Sequence, residues 1–201
     1  MLEAFNLEEV ERAARSLPSH RHRLAFGAGI AERLLPNYGA FSREVRWGDP
    51  GLLRLALDLV WQIVAGGTAQ LGKVRELQAR IRSATPDTQD FASPLTSAAV
   101  DASSAVHEVL EVCHRDEPRR IAEVASLARD TVDLYVQERD SLRPDDPLFE
   151  QRILGDSLMI RELNKQRSEI ELLSRARLDP AFVQRYRDHA RFDGKSTISI
   201  S

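Results

Sequence analysis

An all-α fold is what this sequence predicts, a compact multi-helix bundle of about eight or nine helices, and three observations carry that prediction. Apolar residues recur at helical spacing along most of the chain. Helix starts built on proline stand at Asp49-Pro50, Ser93-Pro94, Asp146-Pro147 and Asp179-Pro180. No convincing alternating pattern of a strand occurs before "STISIS" at 196–201. At each proline start a side-chain oxygen can cap free amides, and proline fills the first turn, where its missing N–H costs nothing.

Taken in order, Asn6 followed by Glu9 has the form of a capping box and opens a helix over 7–17. A second helix, 19–35, is expected to stop at Pro36, which cannot continue the amide ladder. Asn37 then offers an oxygen to cap a third, 37–46. The fourth, 50–65, carries Leu52, Leu53, Leu55, Ala56, Leu57, Leu59, Val60, Ile63 and Val64 around nearly its whole circumference. It is therefore expected to be the central buried helix. A fifth covers 69–83, and "SATPDTQDFASP" (83–94) is the best loop. Leu95, Ala99, Ala102, Val106, Val109 and Cys113 make one stripe of a helix over 94–114. Ile121, Val124, Ala125, Ala128, Val132 and Tyr135 do the same over 118–140, which starts after Asp116-Glu117. Phe149, Ile153, Ile160, Leu163 and Ile170 face inward on a long helix, 147–177, whose "NKQRSE" (164–169) reads as a solvated face. The last helix covers 180–191, and residues 195–201 form an extended tail lying against the body. No solenoid repeat occurs, so residues 1–201 are expected to form a single domain.

Bulk chemistry narrows the function classes. The chain has 28 basic and 31 acidic residues, a net charge of -3, which offers no electrostatic footprint for nucleic acid. Only Lys73, Lys165 and Lys195 are lysines. Cys113 is the single cysteine, so neither an intramolecular disulfide nor a cysteine-based zinc site is expected, and it reads as a small core residue. The apolar run 52–65 is too short to span a bilayer and contains Arg54, Asp58 and Gln62. With an acidic, amphipathic start unlike a signal peptide, the protein is expected to be cytoplasmic and away from membranes.

The stretch "ERLLPNYGAF" followed by "WGDPGLLRLALDLVWQIV", within residues 32–64, resembles the signature of the bacterial YjaG-type family of unknown function. The residues that carry the likeness are Pro36-Asn37-Tyr38, Phe41, Gly48-Asp49, Asp58-Leu59 and Trp61. Looser likeness runs through 98–111 and 167–177 and returns at "GKSTISI" (194–200). The departures are an Arg-rich surface and "SREVR" at 42–46. The resemblance implies an all-helical fold and brings no established activity, substrate or catalytic residue. A gene-neighbourhood association of that family with histidine kinases points to signalling.

Two groups of residues deserve testing as sites. Arg33, Asn37, Tyr38 and Asp49 belong to a stretch dense in Pro, Gly and aromatics. It reads as a corner that sets helix angles, with a concave binding site as the rival. If it is a corner, Tyr38, Phe41 and Trp47 are buried against helix 50–65, and Asn37 and Asp49 bond to nearby amides. Arg54 and Asp58 share one side of their helix, where they form either a structural ion network or a polar floor under a ligand. Asp58 is expected to need a second partner, from Arg33 or Tyr38. His107, Glu111 and His114 have partial di-iron spacing, but the sequence holds no second Glu-x-x-His. His20, His22 and His189 read as surface residues. No metal, cofactor or catalytic set is therefore expected. The leading reading is a non-enzymatic module that binds another protein, and the alternative is a small-molecule receptor or enzyme with its pocket at residues 33–58.

Overall fold

The computed structural model describes residues 6–68 and 70–201. Among these, nine helices follow one another: α1 Leu7–Ser16, α2 His20–Val45, α3 Pro50–Val64, α4 Leu71–Ala84, α5 Thr96–Val112, α6 Pro118–Arg139, α7 Phe149–Gly155, α8 Ser157–Arg175 and α9 Pro180–Asp188. No strand lies among the described residues. The helix start expected at residue 69 falls outside them.

Local chemistry accounts for several boundaries. Asn6 and Glu9 close the capping box of α1, each side chain bonding the other's backbone amide. Asp49 caps α3 through Leu52 N and Asp179 caps α9 through Phe182 N, each with proline in the first turn. At the other two proline starts the α-helix begins two residues late. Ser93 and Asp146 bond instead to Leu95 N and Leu148 N, so a tight turn precedes α5 and α7. The single helix expected over 147–177 breaks at Asp156, which caps α8 through Leu158 N.

The expected pair of helices 19–35 and 37–46 is one continuous helix with Pro36 inside it. Proline's fixed φ suits helical backbone; what it removes is one donor, the N–H that would bond Glu32 O. The neighbouring carbonyl, Arg33 O, accepts a hydrogen bond from Thr197 N at 3.2 Å. The C-terminal tail thus supplies a backbone donor at the point where the ladder is interrupted.

The centre of the bundle is α2 rather than the helix expected there, 50–65. Every residue from Leu24 to Leu35 is buried, whereas Leu55 of α3 is 48% exposed and Gln62 faces out. Small side chains make this possible. A Cβ at Gly27 would lie 2.8 Å from Ile121 Cδ1 of α6, and one at Gly29 2.8 Å from Tyr186 Oη of α9. The N-terminal turn of α2 is tied down by side chains, two of them, His20 and His22, expected at the surface. His20 bonds Val112 O at the end of α5, Arg21 bonds Val64 O at the end of α3, and His22 bonds Ala176 O after α8. Donors at helix C-termini satisfy carbonyls that have no partner within their own helix.

Two apolar clusters result. The larger gathers α1 to α6 around α2, with Leu173 of α8 and Val183 and Tyr186 of α9. The smaller joins Val132, Val136, Ile153, Met159 and Leu163 with Ile198 of the tail. The tail does lie against the body, but as turns rather than an extended strand: Ser196 N bonds Ile200 O, and Ser199 has φ 65°. Cys113 is buried, and burial pushes its thiol up to about 12.

Candidate functional site

Tyr38 organises the signature stretch. The residue is fully buried, and its hydroxyl donates to Ala84 O at 2.6 Å while accepting from Asp49 N at 3.2 Å. Burial raises its phenol pKa above the ordinary value. Gly48, at φ +90°, lies so near that a Cβ there would sit 2.5 Å from the Tyr38 oxygen. Phe41 is buried and Trp47 half-buried, and both pack on Phe91, with centroids 5.2 and 5.1 Å away. Phe41 and Trp47 thus also meet the 85–95 loop, while Tyr38 reaches the start of α3, and all three pack in the apolar cluster that holds the buried face of α3. Asp49 makes its expected bond to a backbone amide, but Asn37 does not. It is buried on α2 with both amide atoms unbonded, and it caps nothing because the helix runs through it.

Arg33 is fully buried and reaches neither Asp58 nor Tyr38. Its Nε and Nη2 donate to Glu162 at 2.9 Å and its Nη1 to Glu169 at 3.0 Å. Burial opposes the charge on Arg33, yet the two carboxylates outweigh it and hold its pKa above the ordinary value. Glu162, Gln166 and Glu169 are all buried, so the 164–169 segment that read as a solvated face turns two of its side chains inward. Positions i, i+4 and i+7 share a helical face, and here that face is polar. One guanidinium serves two buried carboxylates, with Lys165 3.9 Å from Glu169. Burial and the neighbouring Glu162 raise the Glu169 carboxyl to about 7, against the pull of Arg33 and Lys165. Tyr186 packs beside them with its hydroxyl unbonded.

A second network surrounds Glu32, one residue earlier on α2. Arg54 donates to both its oxygens at 2.8 Å, Trp61 Nε1 to Oε1 at 2.9 Å, and Arg187 and Arg191 approach at 3.2 and 3.3 Å. Burial would raise the Glu32 carboxyl, but the bonds and charge of Arg54 and the two further arginines bring it below its usual value. Asp58 has Arg54 at 2.9 Å and finds its second partner in Arg187 of α9. Its side chain is 38% exposed.

The structure therefore divides the six sequence candidates among three places. Tyr38 and Asp49 hold the turn, Arg33 and the unbonded Asn37 lie inside the bundle, and Arg54 and Asp58 lie on an ion network between α3 and α9. Glu32, Glu162, Glu169 and Arg187 were missed. The one available signal was Glu32-Arg33, a charged pair closing the apolar run "LAFGAGIA". Among the described residues no group of three or more His, Cys, Asp or Glu is placed to hold a metal. His107 instead lies beside Arg82 and Glu108, and His114 beside Glu111.

Fold and site together define a class: a helical bundle centred on a Pro-interrupted helix and keyed by two adjacent acid–arginine networks. Within it, the chain belongs to the family described as protein of unknown function (DUF416), which residues 10–201 match. The uncharacterized protein YjaG of Escherichia coli K12 is 31% identical over 94 residues, 47% of each chain. Its Salmonella typhimurium counterpart is 30% identical over the same length. The match thus spans about half the length of these curated relatives. The crystal structure of a DUF416 family protein from Shewanella baltica OS155 superposes with a TM-score of 0.86 at 24% identity, covering 95% of this chain and 97% of that one. That likeness shows the all-helical fold. No helix of the described residues is long and apolar enough to cross a membrane.

Proposed function

We propose that this chain is a non-enzymatic, cytoplasmic protein-interaction module, one helical domain that receives an acidic, amphipathic segment of a partner protein in bacterial signalling. The observation that carries the reading is a groove between α8 and α9 of about 570 Å3. Leu172, Phe182 and Tyr186 make its floor, and Lys165, Arg185 and His189 stand on its rim. Leu172 is 49% exposed, an apolar side chain left uncovered beside cations. An apolar floor with a basic rim complements a helix that carries acids beside its apolar stripe. The signalling setting, with a histidine-kinase pathway as the source of partners, rests on the family resemblance alone. The alternative, a ligand pocket or enzyme at residues 33–58, has less support. Five of its six side chains bond within the fold: Arg33, Tyr38, Asp49, Arg54 and Asp58.

A photo-crosslinking residue at position 172, expressed in the native host, tests the groove. The expected result is an adduct with one defined protein, lost in Arg185→Glu and absent when the crosslinker sits at exposed position 75. No adduct at 172, or the same adduct from both positions, would overturn the reading.

A further inference from the structure

Beyond Lys165 and His189 a second cleft, of about 510 Å3, is closed by the chain that follows α9. Its wall is a tight reversal, Phe192 to Lys195. These two residues exchange backbone hydrogen bonds at 3.0 and 2.9 Å, and Asp193 and Gly194 between them have φ 49° and 82°. Positive φ at both central residues of an Asp-Gly pair is the two-residue hairpin turn, a stiff connection. The turn places Phe192 and Lys195 opposite each other in the wall of the cleft.

Two cations meet the Phe192 ring. The Arg161 guanidinium lies 4.0 Å from its centroid and Lys165 Nζ 6.0 Å. Arg161 is held in place by Thr197 O at 2.8 Å and Ser196 O at 3.3 Å, while its buried Nε bonds to nothing. Burial lowers its pKa, a sign of a cation short of compensation. Neither Arg161 nor Lys195 has a carboxylate within ion-pair distance among the described residues. Arg161, Lys165, Arg191 and Lys195 line the cleft with Asp188 and Asp193. Lys165 is paired with Glu169 and Arg191 with Glu32, which leaves Arg161 and Lys195 as the cations without an acid partner. Two of the three lysines in the whole chain stand here, on a protein whose net charge is -3. Cations left without an acid partner in a cleft attract an incoming anion.

We propose that this cleft is a binding site for a small phosphate monoester. Arg161 and Lys195, the two cations of the cleft without a carboxylate partner, match in number the charges of the dianion that such an ester carries near neutral pH. Lysine and arginine donors shorten and strengthen their bonds to phosphate oxygens. The volume leaves room for an organic group beside the phosphate. The site differs from the groove under α9 in its charge and its wall, and it stands or falls independently of the partner-binding reading.

Amide NMR titration tests it with three probes: glycerol 3-phosphate, inorganic phosphate and citrate. Glycerol 3-phosphate is expected to shift the amides of residues 192–197 saturably, with affinity about tenfold above the other two. Lys195→Gln is expected to weaken it about tenfold at unchanged melting temperature, because the Lys195 side chain makes no bond in the fold. Arg185→Glu is expected to leave it intact, which separates this result from that of the groove. Equal binding of citrate would show a general anion attractor, and equal binding of inorganic phosphate would show a site for the free ion. Either outcome overturns the proposal, as does the absence of saturable shifts or an unaltered affinity in Lys195→Gln.

Discussion

At the residue scale, what an ion pair is worth depends on how much water its partners keep. Asp58 and Arg33 make the contrast within one molecule. Had helix 50–65 been buried all round, removing Asp58 would strand buried cations at a cost of several kcal/mol. In the fold its side chain is 38% exposed, and Arg54 and Arg187 both retain Glu32 after the change. Asp58→Ala is accordingly expected to lower stability by about 1 kcal/mol or less. Arg33→Ala leaves Glu162 without its guanidinium and Glu169 with Lys165 alone at 3.9 Å, at a cost of about 3–5 kcal/mol. Urea unfolding of the two variants side by side checks the order. An Asp58 variant as unstable as the Arg33 variant would contradict the exposure found for Asp58.

At the element scale, breaks and continuations follow from where backbone donors and acceptors find partners. Pro36 does not end α2: its fixed φ suits the helix, the buried run 24–35 before it and the buried Asn37, Tyr38 and Phe41 after it hold the axis, and Thr197 N bonds the adjacent Arg33 O. Asp156 does end one helix and start another, although no proline or glycine follows it. Its Oδ1 accepts from Leu158 N at 2.8 Å, and its Oδ2 accepts from Arg139 of α6 at 2.7 Å. The break lets α7 turn Ile153 toward Met159 and Leu163 in the smaller apolar cluster. Asp156→Ala removes cap and tie together and is expected to cost about 1–2 kcal/mol. It should appear as a lower urea midpoint with an unchanged slope. A stability equal to wild type would mean that packing alone sets the break.

For the molecule as a whole, buried acids give stability a definite pH dependence. Burial raises Glu169 from 4.5 to about 7 and Asp101 from 3.8 to about 6, the latter against a hydrogen bond from Thr131. A carboxyl with a raised folded-state pKa holds its proton more tightly folded than unfolded. Its contribution is complete below the unfolded value and is lost as pH rises through the folded one. Stability is therefore expected to fall as pH rises from about 5 to about 7, by on the order of 1.4 kcal/mol per pH unit where one such proton is held in the folded state alone. Glu169→Gln keeps an oxygen for Arg33 Nη1 and removes the titration, so its profile should flatten. An equally steep decline in that variant would assign the effect elsewhere. Glu32 acts in the opposite sense, since its lowered pKa makes its contribution disappear only as the solution becomes more acidic than an ordinary carboxyl requires.

What the sequence by itself determined is whatever is encoded within a turn or two of chain. The Asn6 box, the Asp49 and Asp179 caps and the apolar stripes of α5 and α6 depend on residues three or four apart, and all of them are legible without the fold. The stretch around Tyr38 was recognisable for its density of special residues. Its partners, Ala84 and Phe91, lie some forty to fifty positions on and carry no mark of the contact. The buried acids were invisible for the same reason. Glu162 and Glu169 sit in a sequence that looks solvated, and only the arrival of Arg33 from another helix makes their burial tolerable. The central place of α2 over α3 was likewise decided in three dimensions. Composition favoured the leucine-rich helix, but close packing on all sides favours alanine and glycine, whose small side chains let Ile121 and Tyr186 approach to contact distance.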